Sequence, residues 1–336
     1  MKAITFTEHG LPIDDPRSLI DVNIEAPQPG PRDLLVEVQA VAVNPVDTKV
    51  RSGTFAKEPK ILGWDAAGIV RQVGADVTLF KPGDAVYYAG SLIRSGSYSE
   101  FQVVDERIVG HRPRTLDAAH AAALPLTSIT AGELLFDRLG VSEGGGEGDV
   151  LLVVGAGGGV GSILVQLARQ LTNMTVIGTA SRPETIGWVQ RMGAHHVIDH
   201  RRPMLAQLQA LGIDAVSHVA SLTHTEEYLP QLVEVLCPQG RLGLIDDPAS
   251  LDVMPLKLKS LSLHWELMFT RSLFETADMI QQHHLLNRVA QLIDQGVLHT
   301  TLGAHFGAIN AANMRSAHAL VESGKAQGKI VLEDFQ

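Results

Sequence analysis

A run of consecutive apolar residues, Val150–Val154, leads straight into the glycine-rich turn Gly155 to Gly161, which opens onto the small and apolar run Ser162–Ala168. No other stretch restricts the fold as much. A fully apolar strand, a tight turn and a helix in that order begin a βαβ unit. The strict G-x-G-x-x-G frame fails because its last position is Val160, but glycines spaced three apart at Gly155, Gly158 and Gly161 satisfy the spaced form. Such glycines permit a tight turn, let a pyrophosphate approach the backbone, and bring helix and strand together. The helix start then presents free N–H groups and the positive end of a dipole to an anion. Gly155, Gly158, Gly159, Val160 and Gly161 are therefore the expected cofactor contacts.

Strand and helix patterns alternate from there. Strands are expected at Thr175–Thr179, His196–Ile198, Ala215–Val219 and Gly240–Ile245, with helices at Pro183–Met192, Pro203–Leu211 and Glu226–Leu236. Continuous apolar strands separated by helices imply a doubly wound parallel sheet. The second strand ends in Gly178-Thr179-Ala180-Ser181-Arg182, with no acidic residue before Glu184. Sites for NAD place a carboxylate there to bind the ribose 2′-hydroxyl. Ser181 and Arg182 suit a 2′-phosphate instead, which implies NADPH over NADH.

The part before about Ala118 reads as β-rich, with strands expected at Leu34–Val43, Ala66–Val73, Ala85–Ala89 and Phe101–Val104 and no long helical pattern. Ala118–Leu139 has helical spacing broken at Pro125, Thr276–Gln295 looks helical, and Lys329–Leu332 is a β-run positioned to return to the first domain. The net charge of −10 over 336 residues argues against nucleic acid or an anionic membrane as a main partner. A single cysteine, Cys237, expected late in a helix and buried, forms no internal disulfide. No signal-like N-terminus and no apolar run of bilayer length occur, which points to a cytoplasmic enzyme. The histidines, including His195-His196 and His283-His284, lack metal-ligand spacing, and no metal site is expected.

Asn44-Pro45-Val46-Asp47-Thr48, Arg51-Ser52-Gly53, Gly63-Trp64-Asp65-Ala66-Ala67-Gly68, Gly83-Asp84-Ala85-Val86, Leu124-Pro125-Leu126-Thr127 with Thr130-Ala131, and Gly328-Lys329-Ile330-Val331 accompany the glycine turn. Together they resemble the medium-chain dehydrogenase/reductase superfamily over essentially the whole chain, in its quinone oxidoreductase (zeta-crystallin-like) branch. Lys259 to Arg271 resembles a bacterial subgroup often labelled zinc-type alcohol dehydrogenase-like. The resemblance implies an α/β fold with a GroES-like β-rich catalytic domain at 1–126 and 300–336 and a Rossmann domain at 127–299. The cysteine, histidine and cysteine that hold catalytic zinc in zinc-dependent relatives fall by motif at Asn44, Trp64 and about Leu126, and the cysteine-rich structural zinc lobe is missing.

The resemblance thus implies a zinc-free, NADPH-dependent hydride transfer to a quinone or an α,β-unsaturated carbonyl, acceptors that delocalise the incoming charge themselves. Asn44 would lie near the nicotinamide and donate to an acceptor oxygen, with capping of the turn at Pro45 as its bland alternative; for Asp47 an N-cap role is the stronger reading. Lys49, where relatives often carry Tyr, would bind an acceptor oxygen or face solvent. Trp64, Met268 and Phe269 would wall the acceptor pocket or fill the core. Thr127 would contact the nicotinamide ribose, Thr130 would contact cofactor or cap a helix, and Lys329 would contact cofactor. A homodimer through the strand-like Leu261–Phe269 is expected. A zinc alcohol dehydrogenase with unfamiliar ligands, and a non-catalytic NADPH-binding protein, stay open as alternatives.

Overall fold

The computed structural model describes residues 1–54 and 60–336, and the element counts refer to these. The chain divides into two compact units, Met1–Ile129 with Phe269–Gln336, and Thr130–Met268.

The first unit begins with the paired strands β1 (Lys2–Thr5) and β2 (Ile20–Asn23). Then come β3 (Asp33–Val43), α1 (Pro45–Ser52), β4 (Ala66–Val73), β5 (Ala85–Tyr88), β6 (Phe101–Asp105), β7 (Val109–His111), α2 (Ala118–Ala122) and α3 (Pro125–Gly132). The helix α1 is short but fully signalled. Asn44 sits at its N-cap, Pro45 in its first turn, and Gly53 ends it in the left-handed region at φ 103°. The β-rich expectation missed it because α1 spans only eight residues.

The second unit opens at the last residues of α3 and a π-helical turn at Glu133–Arg138. It continues with β8 (Val150–Val154), α4 (Gly159–Leu171), β9 (Thr175–Thr179), α5 (Pro183–Arg191), β10 (His196–Ile198), α6 (Met204–Ala210), β11 (Val216–Ser221), α7 (Thr225–Val235), β12 (Leu236–Leu244) and β13 (Ser262–Trp265). These strands form one parallel sheet in the order β10-β9-β8-β11-β12-β13. Numbered from β8, this is the 3-2-1-4-5-6 order of the doubly wound dinucleotide fold, which reverses direction between β8 and β11. Leu152, Val154, Ile177, Val219, Leu242 and Leu244 are buried in the core of this sheet. Cys237 proves to lie in β12, half-buried, rather than late in a helix, because α7 already ends at Val235.

The chain then re-enters the first unit with α8 (Thr270–Leu273), α9 (Gln281–Asp294), β14 (Leu302–Ile309), α10 (Ala311–Glu322) and β15 (Lys329–Phe335). The order β14-β15-β3-β4-β5-β7, with β6 also paired to β3, makes a seven-stranded sheet. The return of the C-terminus to the first domain is realised by β15 lying antiparallel to β3, Ile330 opposite Val43. The boundary differs from expectation, because residues 269–299 belong to the first unit. The reason is packing of α9 on β7 and β5: the Tyr87 hydroxyl donates to Leu286 O at 2.6 Å and the His283 ring to Val109 O at 2.6 Å.

Leu152→Ala, a truncation at a fully buried position of the parallel sheet, is expected to lower unfolding free energy by about 2–5 kcal/mol, read by urea denaturation.

Candidate functional site

The glycine turn of the second unit starts where β8 stops. Gly155 takes φ 80°, which a side chain would oppose. Its N–H donates to Thr179 Oγ1 at 3.2 Å, fixing the turn to the end of β9. Gly158 N–H closes back on Gly155 O at 3.1 Å, and α4 begins at Gly159. A Cβ at Gly161 would lie 2.5 Å from Gly155 O and 2.6 Å from Ala156 Cα, so this glycine serves helix–strand packing. Gly158 is different. Its φ is −78°, and a Cβ there would meet only Gly155 O, at 3.5 Å. The protein's own packing does not require glycine at that place, and the backbone there is left open to the approach of a ligand. No side chain caps α4, so the N–H groups of Gly159, Val160 and Gly161 have no intrahelical acceptor and form a ready anion cradle. These residues fit the pyrophosphate of a dinucleotide.

Beyond β9, Ser181 and Arg182 are half-buried, Arg182 sits at the N-cap of α5, and its Nε lies 3.5 Å from Glu184 Oε1. A second cation at this edge escaped sequence reasoning. Arg201, just past β10, donates to Ser181 O at 2.9 Å and grips both oxygens of Asp199 at 3.1 and 2.9 Å. That bidentate partner holds the Asp199 carboxyl down at about 2. The signal available was the basic pair Arg201-Arg202 in the loop just after the strand that neighbours β9.

In the first unit the expected residues gather in a buried polar network. Lys329 Nζ donates to Val43 O at 3.1 Å, to Asp65 Oδ2 at 2.9 Å and to Asn44 Oδ1. Asn44 Nδ2 donates to Asp65 Oδ2 at 2.8 Å and, over 3.4 Å, to Ala42 O. Leu126 N–H completes the set on Asp65 Oδ1 at 2.8 Å. Burial pushes the Asp65 carboxyl up, while Lys329, Leu126 N–H and the Asn44 amide pull it back. Asn44 N–H donates to Asp47 Oδ2 at 2.6 Å, the Tyr98 hydroxyl donates to the same oxygen at 3.0 Å, and Tyr98 meets His318 Nε2 at 3.2 Å. Asp47 thus caps α1 from its third position rather than serving as N-cap, as the partner of Asn44 in a capping box. Burial raises Asp47 to about 7, and burial with Arg51 nearby lowers His318 to about 3.

Three expected roles change in this setting. Each hydrogen of the Lys329 ammonium already has an oxygen within the protein, so Lys329 has none to offer a cofactor. Thr130 lies inside α3, not at its cap, while Thr127 Oγ1 donates to Leu124 O at 3.1 Å from the first turn. Trp64 is fully buried; its Nε1 donates to Ser91 O at 3.1 Å, Lys60 stands 5.2 Å over its ring, and Phe269 meets it edge-on. Met268 is buried, and Lys49 is half-buried on α1.

The residues at the implied zinc positions do not fit that metal. Asn44 is engaged on Lys329 and Asp65, the Trp64 indole N–H is a donor, and Leu126 has an apolar side chain. Among the described residues no group of three His, Cys, Asp or Glu side chains is gathered as a metal site.

Comparison with known proteins agrees with this architecture. The alcohol dehydrogenase GroES-like domain family matches residues 30–114, and the zinc-binding dehydrogenase family matches residues 192–332. A zinc-type alcohol dehydrogenase-like protein of Staphylococcus aureus is 39% identical over 309 residues, 91% of this chain and 92% of that one. The chain belongs to the medium-chain dehydrogenase/reductase superfamily. Within it, a Rhizobium etli CFN 42 protein described provisionally as a zinc-dependent alcohol dehydrogenase superposes with TM-score 0.95 at 54% identity, covering 100% of this chain and 98% of that one. The Escherichia coli quinone oxidoreductase complexed with NADPH gives TM-score 0.84 at 26% identity over 99% and 100% of the two chains. This chain is accordingly an oxidoreductase of that superfamily with a nicotinamide cofactor and a small-molecule substrate.

Two outcomes follow from these sites. Gly158→Val leaves the fold intact but weakens nicotinamide dinucleotide binding, whereas Gly161→Val lowers stability as well; titration of cofactor fluorescence alongside thermal melts separates them. For Asp47 the sign is set by a folded-state value above the unfolded one: the native state keeps a proton that the unfolded chain has lost, so this group's contribution falls as pH rises from about 4 to about 7. The stability of Asp47→Asn relative to the parent is therefore expected to improve across that window by up to about 1.4 kcal/mol per pH unit, measured by urea unfolding at pH 5 and 7.

Proposed function

We propose that this protein is a zinc-independent, NADPH-dependent reductase of quinones or α,β-unsaturated carbonyls, working as a cytoplasmic homodimer. The observation that carries the reading is the donor set at Asn44, Trp64 and Leu126, which offers no thiolate or imidazole to a metal. Alcohol oxidation on a Lewis acid needs such ligands; a conjugated acceptor does not, because it spreads the incoming charge over its own framework. The nicotinamide, when bound, supplies the hydride, and a proton from solvent completes the reduced product.

The chain's own residues bind and orient. The α4 N-terminus takes the pyrophosphate. Ser181, Arg182 and Arg201 flank the end of β9 and supply hydroxyl and guanidinium donors for a 2′-phosphate. Thr127 and Thr130 lie on α3 and serve the nicotinamide ribose. Asn44 keeps one amide hydrogen firmly on Asp65; the other, on the long contact to Ala42 O, is the one available to an acceptor oxygen. Lys49, half-buried on α1, contributes to the acceptor's surroundings. For the dimer, β13 is the outermost strand of the parallel sheet, and Trp265 and Leu267 beside it are exposed apolar side chains. The zinc-type names of the Staphylococcus and Rhizobium relatives favour a second reading, a metal-dependent alcohol dehydrogenase.

The deciding experiment follows NADPH oxidation by the purified protein, with and without chelator, against a small quinone, an enone and a simple ketone. Chelator-resistant turnover of quinone or enone is the expected result; chelator-sensitive turnover of the ketone alone would replace this reading with the second. Arg182→Ala and Arg201→Ala are each expected to raise KM for NADPH roughly tenfold or more, the worth of a charge-assisted hydrogen bond of about 1.5–3 kcal/mol, while KM for NADH stays unchanged.

A further inference from the structure

The network around Lys329 has the make-up of a cation-binding cage. Lys329 and Asp65 are both buried, at 3% and 0% side-chain exposure. The ammonium meets three oxygens, one each from Val43, Asn44 and Asp65, and an ammonium has three hydrogens to give. Asp65 accepts on both oxygens, from the Lys329 ammonium, the Asn44 amide and Leu126 N–H, the pattern of an ionised carboxylate. The Asn44 amide is held at both ends, its oxygen on Lys329 and its nitrogen on Asp65, which fixes which way it faces. The same Asn44 stands where the family resemblance implies a metal ligand, and it is the oxygen of that side chain that receives the ammonium.

We propose that the Lys329 ammonium is the resident cation of this site: it fills, from within the chain, a cage of Val43 O, Asn44 Oδ1 and Asp65 Oδ2, and thereby orients the Asn44 amide. Lys329 is on this account a positioning residue acting through Asn44, not a ligand of the cofactor. The cage recognises a primary ammonium: a spherical group that gives three hydrogen bonds and carries one positive charge to match one carboxylate. A quaternary ammonium has the charge but no hydrogens, so it does not satisfy the oxygens. This assignment stands independently of the acceptor proposed above, since it concerns a cage within one unit and is tested without turnover.

Removing the side chain beyond Cβ leaves the carboxylate and the two carbonyl oxygens buried without their cation. Full-length Lys329→Ala is therefore expected to melt well below the parent protein. n-Propylammonium carries the same heavy atoms that this substitution deletes. It is expected to raise the melting midpoint of Lys329→Ala by several degrees in a saturable manner, while leaving the parent unchanged and while tetramethylammonium at equal ionic strength has no effect. Equal responses to the two amines, no response to either, or the same response in the parent would overturn the proposal. Should Lys329→Ala not fold, Lys329→Met and the double variant Lys329→Met/Asp65→Asn provide the second test. Deleting the cation alone strands a buried charge, whereas neutralising both partners does not. The double variant is expected to regain most of the lost midpoint; a double variant no more stable than Lys329→Met contradicts the cage.

Discussion

Burying the Lys329 ammonium on Asp65 joins four stretches of chain that are remote in sequence: the start of β15, the end of β3, the segment before β4, and the start of α3 at Leu126. Taking an ammonium and a carboxylate out of water costs several kcal/mol per ion, and only good geometry with every remaining hydrogen and lone pair engaged offsets that. The network meets this condition at Lys329 and at Asp65. It does not meet it everywhere. Asp47 Oδ1 and His318 Nδ1 are buried without partners, and the cost appears as the raised carboxyl of Asp47 and the depressed imidazole of His318. The first unit therefore carries a satisfied ionic centre bordered by two buried titratable groups, Asp47 and His318, each with an unpartnered atom.

The second unit works by the opposite means. Its sheet interior is largely apolar, and the turn after its central strand β8 presents backbone N–H groups, not buried charges, at the start of α4. Gly155, Gly157 and Gly161 are explained by the protein's own packing, since a Cβ at Gly157 would press on Thr185 Cγ2 at 2.2 Å. Gly158 is not explained by that packing, since a Cβ there would meet only Gly155 O at 3.5 Å.

That contrast accounts for what was legible in the sequence. The β8–α4 turn was readable because each of its constraints is local: apolar strand, positive φ, close helix packing. The parallel strands at Val150–Val154, Thr175–Thr179 and His196–Ile198 were read to the residue for the same reason. The network was legible only as a set of names. Asp65 and Lys329 are 264 positions apart, and nothing in either neighbourhood announces the other. A separation of 199 positions likewise hid the Tyr87–Leu286 contact, and with it the fact that α9 belongs to the first unit. Short strands such as β1 and β2 went unread because four residues of mixed polarity give no period.

The interleaving of the two units along the chain has a consequence for biosynthesis. All residues of the second unit, Thr130–Met268, are made before the first unit is complete, because β14, α10 and β15 of the first unit follow them in the chain. The nascent chain carries Asn44 and Asp65 with no ammonium to receive them until Lys329 is made, 264 positions after Asp65, so Asp65 stays hydrated until then.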